Sequence, residues 1–250
     1  MVQIMKEVTS NTLLKDLTFS VVDIETNGMS PTTDNGEILE IAMIDVVNKE
    51  INMDSCYSTL IKPQNISSKY IKYEEVHHIS YDDIKNEHLI DELIPEIGSR
   101  LENKIFVAHN ARFDHSFVDH AFNQITHDPK MKPWINLAAT CEYKHPYLDT
   151  LAISRRLYKA GLFSFDEFVN PKKSHSLDQL IYKFLDSNNI NSDIDFNYVK
   201  KVCPTITSNR LIRHGALYDT YKTAMILIKF LELLEEKDVY TLSDLKSFLD

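Results

Sequence analysis

Glycine, cysteine and tryptophan are scarce in this chain, and positive charge is outnumbered. Only 5 glycines are spread through 250 residues, which leaves no glycine-rich phosphate loop, tandem repeat or low-complexity tract. The three cysteines, Cys56, Cys141 and Cys203, are odd in number, far apart and without a Cys-x-x-Cys pair. They read as free thiols of a reducing compartment, not as a disulfide framework. Neither His77 with His78 nor Cys141 with His145 supplies the four ligands of a structural zinc site. The first sixteen residues mix lysines and acids with no long apolar stretch, so neither a signal peptide nor a membrane span is expected and a cytoplasmic protein is. The Asn65-Ile66-Ser67 glycosylation pattern is then without use. Lys and Arg number 27 against 37 Asp and Glu, a formal net charge of −10. A chain that grips a polyanion over a broad face needs the opposite balance. Lys172 with Lys173, Lys200 with Lys201, and Arg210 with Arg213 are local exceptions that read first as solvated charge.

Against these absences stand three short segments, far apart, that each end on acids. The first lies in Thr18 to Glu25, a β-branched and aromatic run that reads as a central strand. Side chains alternate along a strand, so Asp23 and Glu25 emerge on one face, about 6.5 to 7 Å apart at their Cα atoms, where they can share a cation. Thr26, Asn27 and Gly28 follow as a turn, with Gly28 allowing close approach of the backbone to a ligand. Taken alone, Asp-x-Glu is equally a strand ending in solvated acids.

The second segment is a strand over Ile105 to Ala108 that stops at His109-Asn110 and hands over to a helix with apolar residues at 113, 117, 118, 121 and 122. Asp114 falls in the first turn of that helix, where the helix dipole favours a carboxylate and where ligands of α/β sheets collect past the strand ends. Phe113 fits a core position and equally offers a ring to a base. The third segment opens a long amphipathic helix from about Ala216 to Leu234. His214 and Asp219 would lie roughly 140° apart on one helix, so His214 belongs to the preceding loop and Asp219 to the helix, with Gly215 as the joint. Four carboxylates and a histidine are the inventory for holding two divalent cations beside a phosphodiester and deprotonating an attacking water.

The three segments resemble the motifs of the DnaQ-like, or DEDDh, 3′-to-5′ exonucleases, a family that includes the proofreading epsilon subunit of bacterial DNA polymerase III. Asp23-Ile24-Glu25-Thr26-Asn27-Gly28 matches the first motif, His109 to Asp114 the second, and His214 with Asp219 the third. The tyrosine-bearing branch has Tyr four residues before the last Asp; Gly215 stands there, so the chain resembles the histidine branch. Glu37 to Ala42 resembles the family's second strand, and Ser174-His175-Ser176-Leu177-Asp178 a helix start. His78-Ile79-Ser80, with Asp82 and Asp83, resembles the substrate-flanking His-Gly-Ile-Thr loop, without its glycine.

The resemblance implies a ligand set of Asp23, Glu25, Asp114 and Asp219 for two Mg²⁺ or Mn²⁺ ions, with His214 as general base. A histidine with an ordinary pKa of about 6.5 is suited to that proton transfer near neutral pH, and an oxygen-rich site suits these cations. Thr26, Asn27, Gly28, His78, His109, Asn110 and Phe113 are the implied substrate contacts. The expected reaction is removal of nucleoside 5′-monophosphates from single-stranded or frayed 3′ ends of DNA, in proofreading or repair, beside a DNA polymerase or clamp. RNA 3′-end trimming is the alternative within the enzyme class, since discrimination of the 2′-OH depends on pocket geometry. A non-catalytic binding module of a polymerase complex is the alternative outside it, and it would show a missing ligand where all five positions are filled.

The expected fold is α/β, an RNase H-like mixed sheet flanked by helices. Strands near 18–25, 37–46 and 56–62 form an antiparallel meander, and strands near 105–108 and 147–150 alternate with helices. Residues 1–17 form an N-terminal extension, 18–234 the exonuclease domain and 235–250 a helical tail that packs back or meets a partner. Residues 126–145 and 187–209 read as surface insertions.

Overall fold

The computed structural model describes residues 7–64, 71–126, 132–165, 174–184, 199–201 and 215–250. Its strands are β1 (Thr18–Thr26), β2 (Ile38–Val47), β3 (Glu50–Leu60), β4 (Ile105–Ala108) and β5 (Leu148–Asp149). The described α-helices are α1 (Glu74–His77), α2 (Tyr81–Ile84), α3 (Ile90–Leu101), α4 (Arg112–Thr126), α5 (Leu137–Cys141), α6 (Thr150–Lys159), α7 (Leu177–Phe184), α8 (Ala216–Glu235) and α9 (Leu242–Leu249). The five strands form one sheet in the order β3-β2-β1-β4-β5. The β1–β2 and β2–β3 pairs are antiparallel, whereas β1–β4 and β4–β5 are parallel. This is the expected mixed sheet, with the meander at one edge and β1 in the middle.

The hydrophobic pattern explains the layering. Phe19 and Val21 of β1 join Ala42, Ile44 and Val46 of β2 in a core capped by Ala224, Leu227, Phe230 and Leu231 of α8. The alternate residues Val22, Ile24, Ile41 and Met43 face a second core with Ile97 and Leu101 of α3 and Phe117, Val118 and Phe122 of α4. A strand buried on both faces needs a continuous apolar run, and β2 is buried from Ile38 through Val46. β3 alternates instead, as an edge strand does. It begins six residues before its expected start, because Asn48 and Lys49, at φ 49° and 62°, make the tight two-residue turn of a hairpin and pairing starts at Val47 with Glu50.

One expectation needs revision. The described part of the first supposed insertion is built into the fold. Trp134 is 4% exposed, its ring edge-on to Phe106 at 6.0 Å and Phe122 at 5.5 Å. Backbone bonds from Asn103 to Pro133 and from Ile135 to Lys104 tie it to the entry of β4, and Asn136 caps α5 through Ala138 and Ala139. Prolines and charges mask this role in the sequence. Of the second supposed insertion, only residues 199–201 are among those described. The tail folds back: α9 carries a Thr241–Asp244 capping box, buries Leu242, Leu245 and Leu249 in the α8 core, and joins the N-terminal segment through Leu14 to Tyr240 and Leu242 to Thr12 backbone bonds. Among the described residues, no helix is long and apolar enough to cross a membrane. Cys56 and Cys141 are buried and outside any disulfide, as expected; Cys203 lies outside the described residues.

Candidate metal centre

β1 delivers Asp23 and Glu25 near its C-terminal end, and the first turn of α8 brings Asp219 to them. One carboxylate oxygen from each of the three lies within 4.8 Å of the others, a spacing that one cation can bridge. The residues come together because α8 lies across β1 and β2. Thr220, next to Asp219, donates its hydroxyl to the Ala42 carbonyl of β2 at 3.4 Å.

Asp114 stands beside this group, on the first turn of α4. It is buried, and its Oδ1 accepts the Ile24 amide, between the two β1 ligands, at 3.2 Å. Burial holds its carboxyl up at about 8, with Asp149 adding to the rise. The Asp23 carboxyl is likewise raised well above its ordinary range, first by burial and then by Asp114, Asp219, Glu25 and Glu40. Acids packed this tightly oppose their own ionisation, and a divalent cation is the partner that relieves it. The donor set is all oxygen and partly open, which fits a hard cation. Asp114 stands next to the triad but is not one of the three clustered residues.

The other anticipated residues have mixed placements. Thr26 donates to the Gly28 carbonyl at 2.7 Å, and Asn27 exchanges two bonds with Glu37, its own amide to the Glu37 carbonyl at 3.1 Å and its Oδ1 from the Glu37 amide at 2.7 Å. The close approach at Gly28 is to Gly36, where an added Cβ would fall 2.5 Å from the Gly36 Cα. These contacts lock the loop leaving β1. His109 shares a 3.0 Å hydrogen bond with Thr150, and burial lowers its ring to about 4, so it is neutral near pH 7. Asn110 takes a left-handed φ of 67°, with its amide on Asp149 at 3.0 Å. Phe113 is half-buried with its ring 5.1 Å from Phe117. His214 lies outside the described residues.

At the His-Gly-Ile-Thr-like loop the two histidines divide the roles. His77 is buried, accepting the Ile79 amide at 3.0 Å and sharing a 2.9 Å bond with the Lys72 carbonyl. His78, exposed, holds φ 55° and so fills the glycine's backbone position. The spacing to Ile79 contained this register, since the residue before the isoleucine is the glycine of the pattern. The sequence reading also passed over Glu40, an acid inside an apolar strand and 1% exposed. That interruption was the available signal. A groove of about 710 Å³ runs between the Met29–Thr32 loop and α4, lined by Asn110, Arg112, Phe113 and His120.

A family model described as exonuclease, RNase_T, matches residues 20–191. The chain is 28% identical over 247 residues to the DNA polymerase III PolC-type of Thermotoga maritima, covering 99% of this chain and 14% of that protein. The chain thus spans about a seventh of the length of such relatives. Among solved structures, exonuclease X in complex with 5′ overhanging duplex DNA superposes with a TM-score of 0.55 at 20% identity, covering 93% of this chain and 99% of that one. E. coli exonuclease I in complex with a dT13 oligonucleotide superposes with a TM-score of 0.60 at 16% identity, covering 89% of this chain and 42% of that one. These two likenesses bear out the fold, and the family match extends from β1 past α7. On that match, and with its clustered acids where β1 meets α8, the chain belongs to the exonuclease family.

Proposed function

We propose that this chain is a metal-dependent 3′-to-5′ exonuclease domain that shortens DNA from single-stranded or frayed 3′ ends, in proofreading or repair beside a DNA polymerase. The observation that carries this reading is the convergence of Asp23, Glu25 and Asp219 within 4.8 Å at the meeting of β1 and α8. Support for the polymerase setting comes from relatives that are named DNA polymerase III PolC-type. The buried thiols of Cys56 and Cys141, outside any disulfide, suit a cytoplasmic location.

In this reading Asp23, Glu25 and Asp219 hold Mg²⁺ or Mn²⁺, and Asp114 completes the site for a second ion. Such cations stabilise the charge that builds on the attacking and leaving oxygens of a phosphodiester. The chain's own residues supply the rest. The locked loop over Thr26 to Gly28, the ring of Phe113 and the backbone held by the Asn110–Asp149 contact flank the terminal nucleotide. His214, in the residue before the cap of α8, takes the proton of the attacking water, and the upstream 3′ oxygen departs to leave a nucleoside 5′-monophosphate.

The test is cleavage of matched 5′-labelled single-stranded DNA and RNA oligomers with Mg²⁺, Mn²⁺ or EDTA, resolved nucleotide by nucleotide. The expected result is a cation-dependent ladder that shrinks from the 3′ end of DNA. A ladder on RNA alone would reassign the substrate, and no ladder on either from folded protein would overturn the assignment.

A further inference from the structure

Glu40 is a carboxylate near the start of β2, 1% exposed and directly across from Glu25 in the β1–β2 register. A buried acid in that position needs hydrogen-bond donors. One of them is the backbone amide of Ala216, the first residue of α8, which donates to Glu40 Oε2 at 3.2 Å. The hydroxyl of Ser58, on β3, approaches Oε1 at 3.5 Å. The first turn of a helix leaves its amides without partners inside the helix, and a side chain at the cap normally serves them. Here the cap is Gly215, which has no side chain to do so. The service comes from another strand.

A second contact fastens the same turn. Asp219 closes the turn through its own amide to the Gly215 carbonyl at 3.1 Å, and Thr220 donates to the Ala42 carbonyl of β2 at 3.4 Å. Asp219 therefore projects from a segment that β2 holds on both sides, at Ala216 and at Thr220. Because β2 pairs with β1 residue by residue through Asp23 and Glu25, the same strand sets where the other two acids stand.

We infer that Glu40 is a positioning residue: it caps α8 from β2 and thereby fixes Asp219 at cation-sharing distance from Asp23 and Glu25. This rests on the reading of the three acids as metal ligands, and the experiment separates the two. Glu40→Leu removes the acceptor at nearly constant volume, Glu40→Gln keeps an oxygen acceptor without the charge, and Thr220→Val removes the second fastening. Mn²⁺ affinity is measured by electron paramagnetic resonance, and hydrogen exchange at the Ala216 amide is followed in the cation-free protein. The parent is expected to bind Mn²⁺. Glu40→Leu should weaken that binding by about 10- to 100-fold, the usual reach of a group that orients a ligand, and speed exchange at Ala216. Glu40→Gln should recover most of both, and Thr220→Val should weaken Mn²⁺ in the same direction. Parent-like Mn²⁺ affinity in Glu40→Leu would overturn the inference while leaving the ligands standing, and so would a Gln variant as impaired as the Leu variant. Should Glu40→Leu not fold, Gln and Val variants that behave oppositely to these expectations would do the same. A folded parent that binds no Mn²⁺ would take down both readings.

Discussion

Asp114 enters the folded chain with its carboxyl moved from an ordinary 3.8 to about 8, chiefly because burial strips away its water. The native state then keeps a proton that the unfolded chain releases, so the contribution of this group to stability is fully present below about pH 4 and is lost as pH rises toward 8. In EDTA, Asp114→Asn should lessen this decline, the raised Asp23 carboxyl accounting for the remainder, and raise the melting temperature at pH 8. Thermal melts across the pH range test it, and a parent as stable at pH 8 as at pH 5 would count against it. The ligands carry a different expectation. Asp23→Ala and Asp219→Ala should each abolish cation-dependent cleavage with an unchanged circular dichroism spectrum, since each removes a donor while easing the repulsion around Asp23. Unchanged turnover in either would remove it from the ligand set. His214→Ala should reduce turnover by about 10² to 10⁴ with cation binding intact, the range of a general base. A pH–rate profile over pH 6 to 9 that matches the parent's would remove it from that role.

At the scale of elements, the loop between β1 and β2 is a rigid wall. Gly28 and Gly36 lie back to back, and Asp34 accepts the Met29 amide at 2.7 Å and the Ser30 amide at 2.9 Å. A Cβ on Gly36 would fall 2.9 Å from the Gly28 Cα, against backbone that has nowhere to retreat. Gly36→Ala should therefore cost about 1–3 kcal/mol, read from the urea midpoint at constant slope. An unshifted midpoint would show that the loop yields. Much of the element plan was legible: β1, β4 and α8 lie within two residues of the expected bounds because each has a strong apolar period and a clear stop. What escaped was tertiary. Trp134 sits among prolines and lysine, with no period to announce that its ring closes a cage with Phe106, His115 and Phe122. The glycine role of His78 depends on a left-handed backbone, which a side chain does not advertise. The site was legible as a list, from Asp23 through Asp219, but the service of Glu40 to Ala216 joins residues that no local pattern connects.

Considered whole, the molecule builds its candidate centre from opposite ends of the sequence. Asp23 and Glu25 arrive with the first strand, Asp219 with the long helix that closes the sandwich. The two are neighbours only once β1, β2 and α8 have assembled, so no fragment of the fold offers the complete set of donors. An ion seated there acts as a clasp, joining the start of the chain to its last long helix and opposing their separation through mass action. Its release and the loss of tertiary structure should then be one event. In a urea titration with Mn²⁺, the appearance of free ion should trace the same midpoint as the aromatic circular dichroism, and raising the ion concentration should move both together. Free Mn²⁺ appearing well before that midpoint would mean that the clasp opens while the sandwich stays closed.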